Sequence, residues 1–244
     1  MSISIEHKRA AFRALHDQGC FVLAAPRNIR GLRRLEKLGV EAISTTSSAF
    51  AWPHGGENFV PGEDEMLPHI SQLCAATDLP VHADFDRVVG DDAKHFAAAV
   101  RAAIKSGVAG LSVTDRMGDD LASRSFTAER IRAAREVITE MNQDVVLMAR
   151  CEGFLTDTVK PDAVLSRLHA YASAGADVLC APGTEDLAVI EAMVDAVAPK
   201  AVNLIVRDAS IDANVWSNSA YGVSRWGFLS GPMTGQVSSA ASQA

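Results

Sequence analysis

The chain has 244 residues, 48% of them hydrophobic and 22% charged, which suits one large globular domain or two small ones. A net charge of −7 argues against nucleic-acid binding, because phosphate contacts need a basic patch. No apolar stretch approaches the roughly 20 residues that span a bilayer, and the opening Met1-Ser2-Ile3-Ser4-Ile5-Glu6-His7-Lys8-Arg9 is too polar for a signal peptide, so a cytoplasmic chain with no membrane partner is expected.

In chain order, positions 6–16 predict a short amphipathic helix with Phe12 and Leu15 on one side. Apolar runs follow at 20–25, 40–47, 80–86, 110–115, 145–150, 176–181, 201–206 and, more weakly, 224–229. Helical patterns fall between them near 30–38, 63–76, 92–106, 127–141, 162–174 and 185–197, with a poorer one near 211–220. Strands that read as continuous apolar runs, each followed by a helix, predict a parallel sheet covered on both faces. About eight such units fit a single-domain α/β fold of the (β/α)8 barrel type, which typically takes about 250 residues. An open dinucleotide-binding sheet would carry a Gly-rich turn early on, and the first loop, Ala25-Pro26-Arg27-Asn28, has none.

An internal echo supports the barrel. Leu38-Gly39-Val40, Ser106-Gly107-Val108 and Ala174-Gly175-Ala176 each end a helix, pass a glycine and open an apolar strand. Nothing divides residues 1–230, read as one barrel domain. Residues 231–244 form a Ser/Ala-rich tail that is either a frayed end or a short helix given to a neighbouring subunit.

Barrel chemistry sits at the C-terminal strand ends. The third run ends Leu79-Pro80-Val81-His82-Ala83-Asp84-Phe85-Asp86, and its period of two puts both carboxylates on one face, roughly 6.5–7 Å apart. Like charges so placed repel unless a cation or proton lies between them. Other strand ends offer Thr45-Thr46-Ser47-Ser48, Thr114-Asp115 and Arg150-Cys151-Glu152. Hydroxyls, carboxylates and one arginine at one mouth suit a hard cation such as Mg²⁺ and an anionic substrate gripped by Arg150. Plainer roles compete: an aspartate closing a strand often caps the next helix, and Arg150 can simply pair with Glu152 or Asp115. His54, in the Gly-rich Pro53-His54-Gly55-Gly56-Glu57, is either a solvated loop residue or a catalytic one, while His82 reads as barrel packing. The four cysteines, Cys20, Cys74, Cys151 and Cys180, have no paired spacing and read as buried thiols. Next to Arg150, Cys151 is the one whose pKa a cation would lower.

Several of these stretches resemble the isocitrate lyase/phosphoenolpyruvate mutase superfamily, and its carboxyvinyl-carboxyphosphonate phosphorylmutase-like branch in particular. They are Thr45-Thr46-Ser47-Ser48-Ala49-Phe50-Ala51-Trp52, the Leu79–Asp86 stretch, Gly107-Val108-Ala109-Gly110-Leu111-Ser112-Val113, Ala149-Arg150-Cys151-Glu152 and the segment 170–183. The resemblance implies an α/β barrel, a homo-oligomer (dimer or tetramer) exchanging a C-terminal helix, and Mg²⁺ as cofactor. It implies an enzyme that makes or breaks a C–C or P–C bond beside the carboxylate of a small 2-oxo or 2-hydroxy acid, by way of an enolate-like species. By similarity, Asp84 and Asp86 are the metal residues, and Thr46, Ser47 and Arg150 hold the carboxylate or phosphonate end; the strand ends add Asp115 to the metal candidates and Ser48 and Glu152 to the substrate-binding ones. Arg150, Asp115, His54 and Asn58 are the catalytic candidates.

Departures accompany the likeness. Gly55-Gly56-Glu57-Asn58 stands where the family has Gly-x-Pro-Asp, and Thr114-Asp115 where it has Glu-Asp. The Lys-Lys-Cys-Gly-His loop of true isocitrate lyases has no counterpart in residues 116–125, which argues against isocitrate cleavage. Asn58 and Thr114 motivate an alternative, a catalytically silent relative that binds a small carboxylate or serves as an assembly partner. A third reading is metal-free chemistry through His54, Glu57 or Cys151.

Overall fold

The apolar runs close into a cylinder. In a computed structural model, which describes residues 3–17, 21–26, 28–45, 62–84, 93–118, 120–156, 159–206 and 223–227, the strands are β1 (Val22–Ala24), β2 (Ala42–Ser44), β3 (Val81–Asp84), β4 (Gly110–Thr114), β5 (Arg116–Met117), β6 (Asp120–Leu121), β7 (Val146–Arg150), β8 (Val178–Cys180), β9 (Ala201–Val206) and β10 (Val223–Gly227). Eight of them form a closed parallel barrel in the order β1-β10-β9-β8-β7-β4-β3-β2, and β5 with β6 makes a small antiparallel hairpin at its C-terminal rim. The described helices are α1 (Ile5–Ala14), α2 (Ile29–Lys37), α3 (Glu63–Ala76), α4 (Ala93–Lys105), α5 (Arg124–Glu140), α6 (Pro161–Ser173) and α7 (Leu187–Val197).

Every expected strand is present, and seven of the expected helices lie within a few residues of their predicted ends. The helix expected near 211–220 and the tail 231–244, with the exchanged helix, fall outside the described residues. Local chemistry sets several boundaries. Ser4, Asn28, Ser123 and Asp186 accept hydrogen bonds from first-turn amides, and Pro161 opens α6 where its missing N–H costs nothing. The echoed glycines Gly39, Gly107 and Gly175 have φ of +76°, +94° and +112°, the left-handed stop that precedes β2, β4 and β8. Among the described residues no helix is long and apolar enough to cross a membrane.

Strand parity sorts the core into two shells. Leu111 and Val113, Leu147 and Ala149, Leu179, Val202 and Leu204 face the helix layer and pack with Leu32, Ile70, Phe96, Ile131 and Tyr171. Alternate residues, Leu23, Ala42, Val146, Met148, Val178 and Cys180, fill the interior with Phe12 and Phe21. Burial of both faces is why the strands read as unbroken apolar runs.

Helix α1 closes the N-terminal end. Arg9 donates to the carbonyls of Val108 (2.9 Å) and Ile104 (2.8 Å), and Phe12, fully buried, enters the barrel floor. Its ring lies edge-on to His16 and Phe21 at 4.7 and 6.1 Å and 6.0 Å from His82. Gly110 leaves the room this needs: a Cβ there would stand 2.6 Å from the Phe12 ring and 2.8 Å from His82 Nδ1.

Candidate active site

The site is assembled from inward positions at the C-terminal ends of β3, β4 and β7. Asp84 closes β3 and is 1% exposed. Its Oδ1 accepts from Ser112 Oγ at 2.8 Å, its cross-strand neighbour on β4. The Asp84 amide in turn donates to Thr45 Oγ1 at 2.9 Å. Arg150 closes β7 with Nη1 at 3.1 Å from Asp84 Oδ2 and 3.4 Å from Oδ1, while its Nε forms a close ion pair with Glu152 Oε1. One guanidinium thus lies between two carboxylates, all three nearly removed from solvent. Buried charges persist only when paired and hydrogen-bonded, so each acid depends on Arg150 and Arg150 on both.

Asp115, expected among the metal and catalytic residues, faces the other way. Thr114 points inward, so the next residue points outward to the helix layer. There Asp115, 0% exposed, accepts from the Glu152 amide (2.8 Å), Arg167 Nη1 (3.2 Å) and the Tyr171 hydroxyl (2.9 Å). Asp115 is therefore corrected from a ligand in the mouth to a carboxylate behind it. The expectation for Cys151 is corrected too. It lies on the same outward face, fully buried, and burial followed by the charge of Asp115 raises its thiol pKa instead of lowering it. Cys74 and Cys180 are buried thiols outside any disulfide, as expected.

His82 packs in the barrel interior as read, and burial, with the charges of His16 and Arg150, lowers its pKa to about 3. Asn203 on β9 is also fully buried, and its carboxamide makes no hydrogen bond among the described residues. Thr46, Ser47, Ser48, His54, Glu57, Asn58 and Asp86 lie outside the described residues. Ser112, Arg167 and Tyr171 were not singled out from the sequence. Ser112 shares the inward parity of Thr114, a signal that was available. Arg167 and Tyr171 sit one turn apart on α6, but nothing local says that this face meets the end of β4.

For the implied Mg²⁺, Asp84 fits as a hard oxygen donor, a carboxylate at the inner strand end beside Arg150. Asp115 does not fit, and among the described residues no group of three or more His, Cys, Asp or Glu is arranged to hold a metal.

Comparison with known proteins places the chain in a family. The family model described as phosphoenolpyruvate phosphomutase matches residues 12–243. The 2-methylisocitrate lyase of Escherichia coli (strain K12) is 32% identical over 143 residues, covering 55% of this chain and 47% of that protein. Oxaloacetate decarboxylase of Pseudomonas paraeruginosa (strain DSM 24068 / PA7) is 30% identical over 198 residues, covering 77% and 67%. The chain thus spans about half the length of the methylisocitrate lyase it matches. A crystal structure from Burkholderia cenocepacia J2315, described as a lyase/mutase, superposes with a TM-score of 0.85 at 34% identity, over 92% of this chain and 82% of that one. A 2,3-dimethylmalate lyase superposes with a TM-score of 0.81 at 22% identity, over 91% and 77%, a likeness of fold. With a family match over nearly its whole length, and a barrel whose acids and arginine stand where the resembling stretches end, the chain belongs to the phosphoenolpyruvate mutase/isocitrate lyase superfamily.

Proposed function

We propose that the chain is a Mg²⁺-dependent enzyme that makes or breaks a C–C or P–C bond beside the carboxylate of a small 2-oxo acid, through an enolate-like species, and is not an isocitrate lyase. The supporting observation is Arg150 held between Asp84 and Glu152 in a buried mouth. The planar fork of a guanidinium matches a carboxylate, and both acids fix its orientation before substrate arrives, so little reorganisation is left for the reaction. Thr46, Ser47 and Ser48 would hold the same end of the substrate as Arg150 and Glu152, with His54 and Asn58 as the loop candidates for proton handling. Asp84, together with Asp86, would hold Mg²⁺, which supplies a Lewis acid for charge developing on the substrate oxygen. Apolar packing beneath the mouth, from Leu23, Met148 and Val178 down to Phe12, keeps bulk water out of the barrel. Oxaloacetate is the first substrate to assay, because the decarboxylase match covers 77% of this chain.

A second reading, a silent relative that binds a small carboxylate or an assembly partner, is favoured by one observation. Thr114 puts a hydroxyl where the family has a carboxylate, and it accepts from the Arg116 amide at 3.2 Å. Calorimetric titration with Mg²⁺ and oxalate, beside an oxaloacetate turnover assay, separates the two. The first reading expects heat with both ligands, turnover that chelation removes, and an Asp84→Ala variant that folds but does not turn over. Oxalate binding without turnover of any 2-oxo acid supports the second, and full activity in Asp84→Ala sinks the first.

A further inference from the structure

We infer that Asp115, Arg167 and Tyr171 form a positioning hub that sets Glu152, and through it the guanidinium of Arg150, from the outer side of the barrel wall. The hub rests on the reading of Arg150 and Glu152 as substrate-holding residues.

Past Arg150 the β7 ladder runs out. The Arg150 carbonyl accepts from the Asp115 amide (3.1 Å) and the Cys151 amide donates to the Cys180 carbonyl (2.8 Å). The Glu152 amide is the next donor, and a buried amide needs a partner. Asp115 Oδ1 supplies it at 2.8 Å. This bond carries the chain one residue beyond the strand, so that Glu152 keeps the inward parity of Arg150 and reaches its Nε. The backbone then turns into the short 3-10 helix Gly153–Leu155, where a Cβ at Gly153 would come within 2.7 Å of Val164 on α6.

The other oxygen of Asp115 ties this turn to α6. Tyr171 donates to Oδ2 at 2.9 Å and accepts from Arg167 Nη1 at 3.1 Å. Arg167 Nη1 also approaches Oδ2 at 3.2 Å and donates to the Ala122 carbonyl at 2.9 Å. Ala122 closes the β5–β6 hairpin, and its amide donates to the Asp115 carbonyl at 2.7 Å. Arg167 offsets the buried charge of Asp115. Neutralisation alone does not require Oδ1 on the Glu152 amide. That bond is what links the outer wall to the mouth. Tyr171 stays protonated and donating at working pH, because burial and the Asp115 charge raise its pKa.

The test is the structure and ligand affinity of Tyr171→Phe and Asp115→Asn in the full chain. Tyr171→Phe keeps the ring packing and serves where Asp115→Asn fails to fold. Crystal structures should show the Glu152 carboxylate shifted off Arg150 Nε. The dissociation constant for oxalate, with Mg²⁺ present, should rise roughly tenfold, which is about 1.4 kcal/mol, close to the lower end of the range for one hydrogen bond to a charged group. In turnover, KM should rise more than kcat falls. A lower melting temperature with Glu152 and Arg150 unmoved would make the trio a simple strut for α6 and overturn the inference. If the unaltered chain takes no oxalate, the reading of the site fails, and the position of Glu152 in the variant crystals still decides the hub.

Discussion

Replacing Gly110 with alanine is expected to destabilise the fold by about 2 kcal/mol while leaving the mouth of the barrel in place. The added methyl would meet the Phe12 ring at 2.6 Å, His82 Nδ1 at 2.8 Å and the Val146 carbonyl at 3.1 Å. None of these yields easily. Phe12 and His82 are fully buried, and the Val146 backbone is part of the ladder joining β7 to β4. Overpacking of a close-packed interior costs about 1–3 kcal/mol, and three constrained neighbours put this site near the upper end. Relief of glycine's backbone entropy in a strand returns about 0.5–1 kcal/mol. For a chain of this size the net loss lowers the melting temperature by about 4–8 °C. Circular-dichroism melts at matched protein concentration measure it. Shortening the plug should relieve the clash, so Gly110→Ala and Phe12→Leu are expected to be non-additive by about 1 kcal/mol or more. An unchanged melting temperature, or losses that simply sum, would refute the packing of the floor described above.

Acid sensitivity should follow from His82. Its imidazole is held near pKa 3 by burial, so between the ordinary value of 6.5 and about 3 the unfolded chain carries a proton that the folded chain refuses. Stability is therefore complete above that window and falls as pH drops through it, by about 2 kcal/mol at pH 5. His82→Gln should flatten denaturation midpoints over this range, and an unaltered slope would assign the acid loss elsewhere. Cys151 and Cys180, 0% and 1% exposed, should resist a thiol reagent at neutral pH until the chain unfolds. Peptide mapping that finds Cys151 labelled in the native protein would contradict its outward, buried placement.

Much of the architecture was legible in one dimension. Apolar runs at near-regular intervals, each with a helix behind it, point to a parallel sheet buried on both faces, and about eight such units without an early Gly-rich turn favour a closed barrel over an open sheet. The β5–β6 hairpin was missed, since strands as short as Arg116–Met117 and Asp120–Leu121 carry no measurable period. The site was half legible. Asp84, Arg150 and Glu152 were named from strand ends and do come together. Asp115 was named with them and does not.

That last difference marks the boundary between the two kinds of information. Periodicity and strand order determined the barrel and the residue types gathered at its C-terminal strand ends, because burial of alternating faces is a local, repetitive demand. Which side of the wall a strand-end residue faces, and whether an arginine from a distant helix waits there, was decided only by tertiary packing. A one-residue step turns a side chain from the mouth to the helix layer, and Arg167 and Tyr171 gain their meaning only where α6 crosses the end of β4.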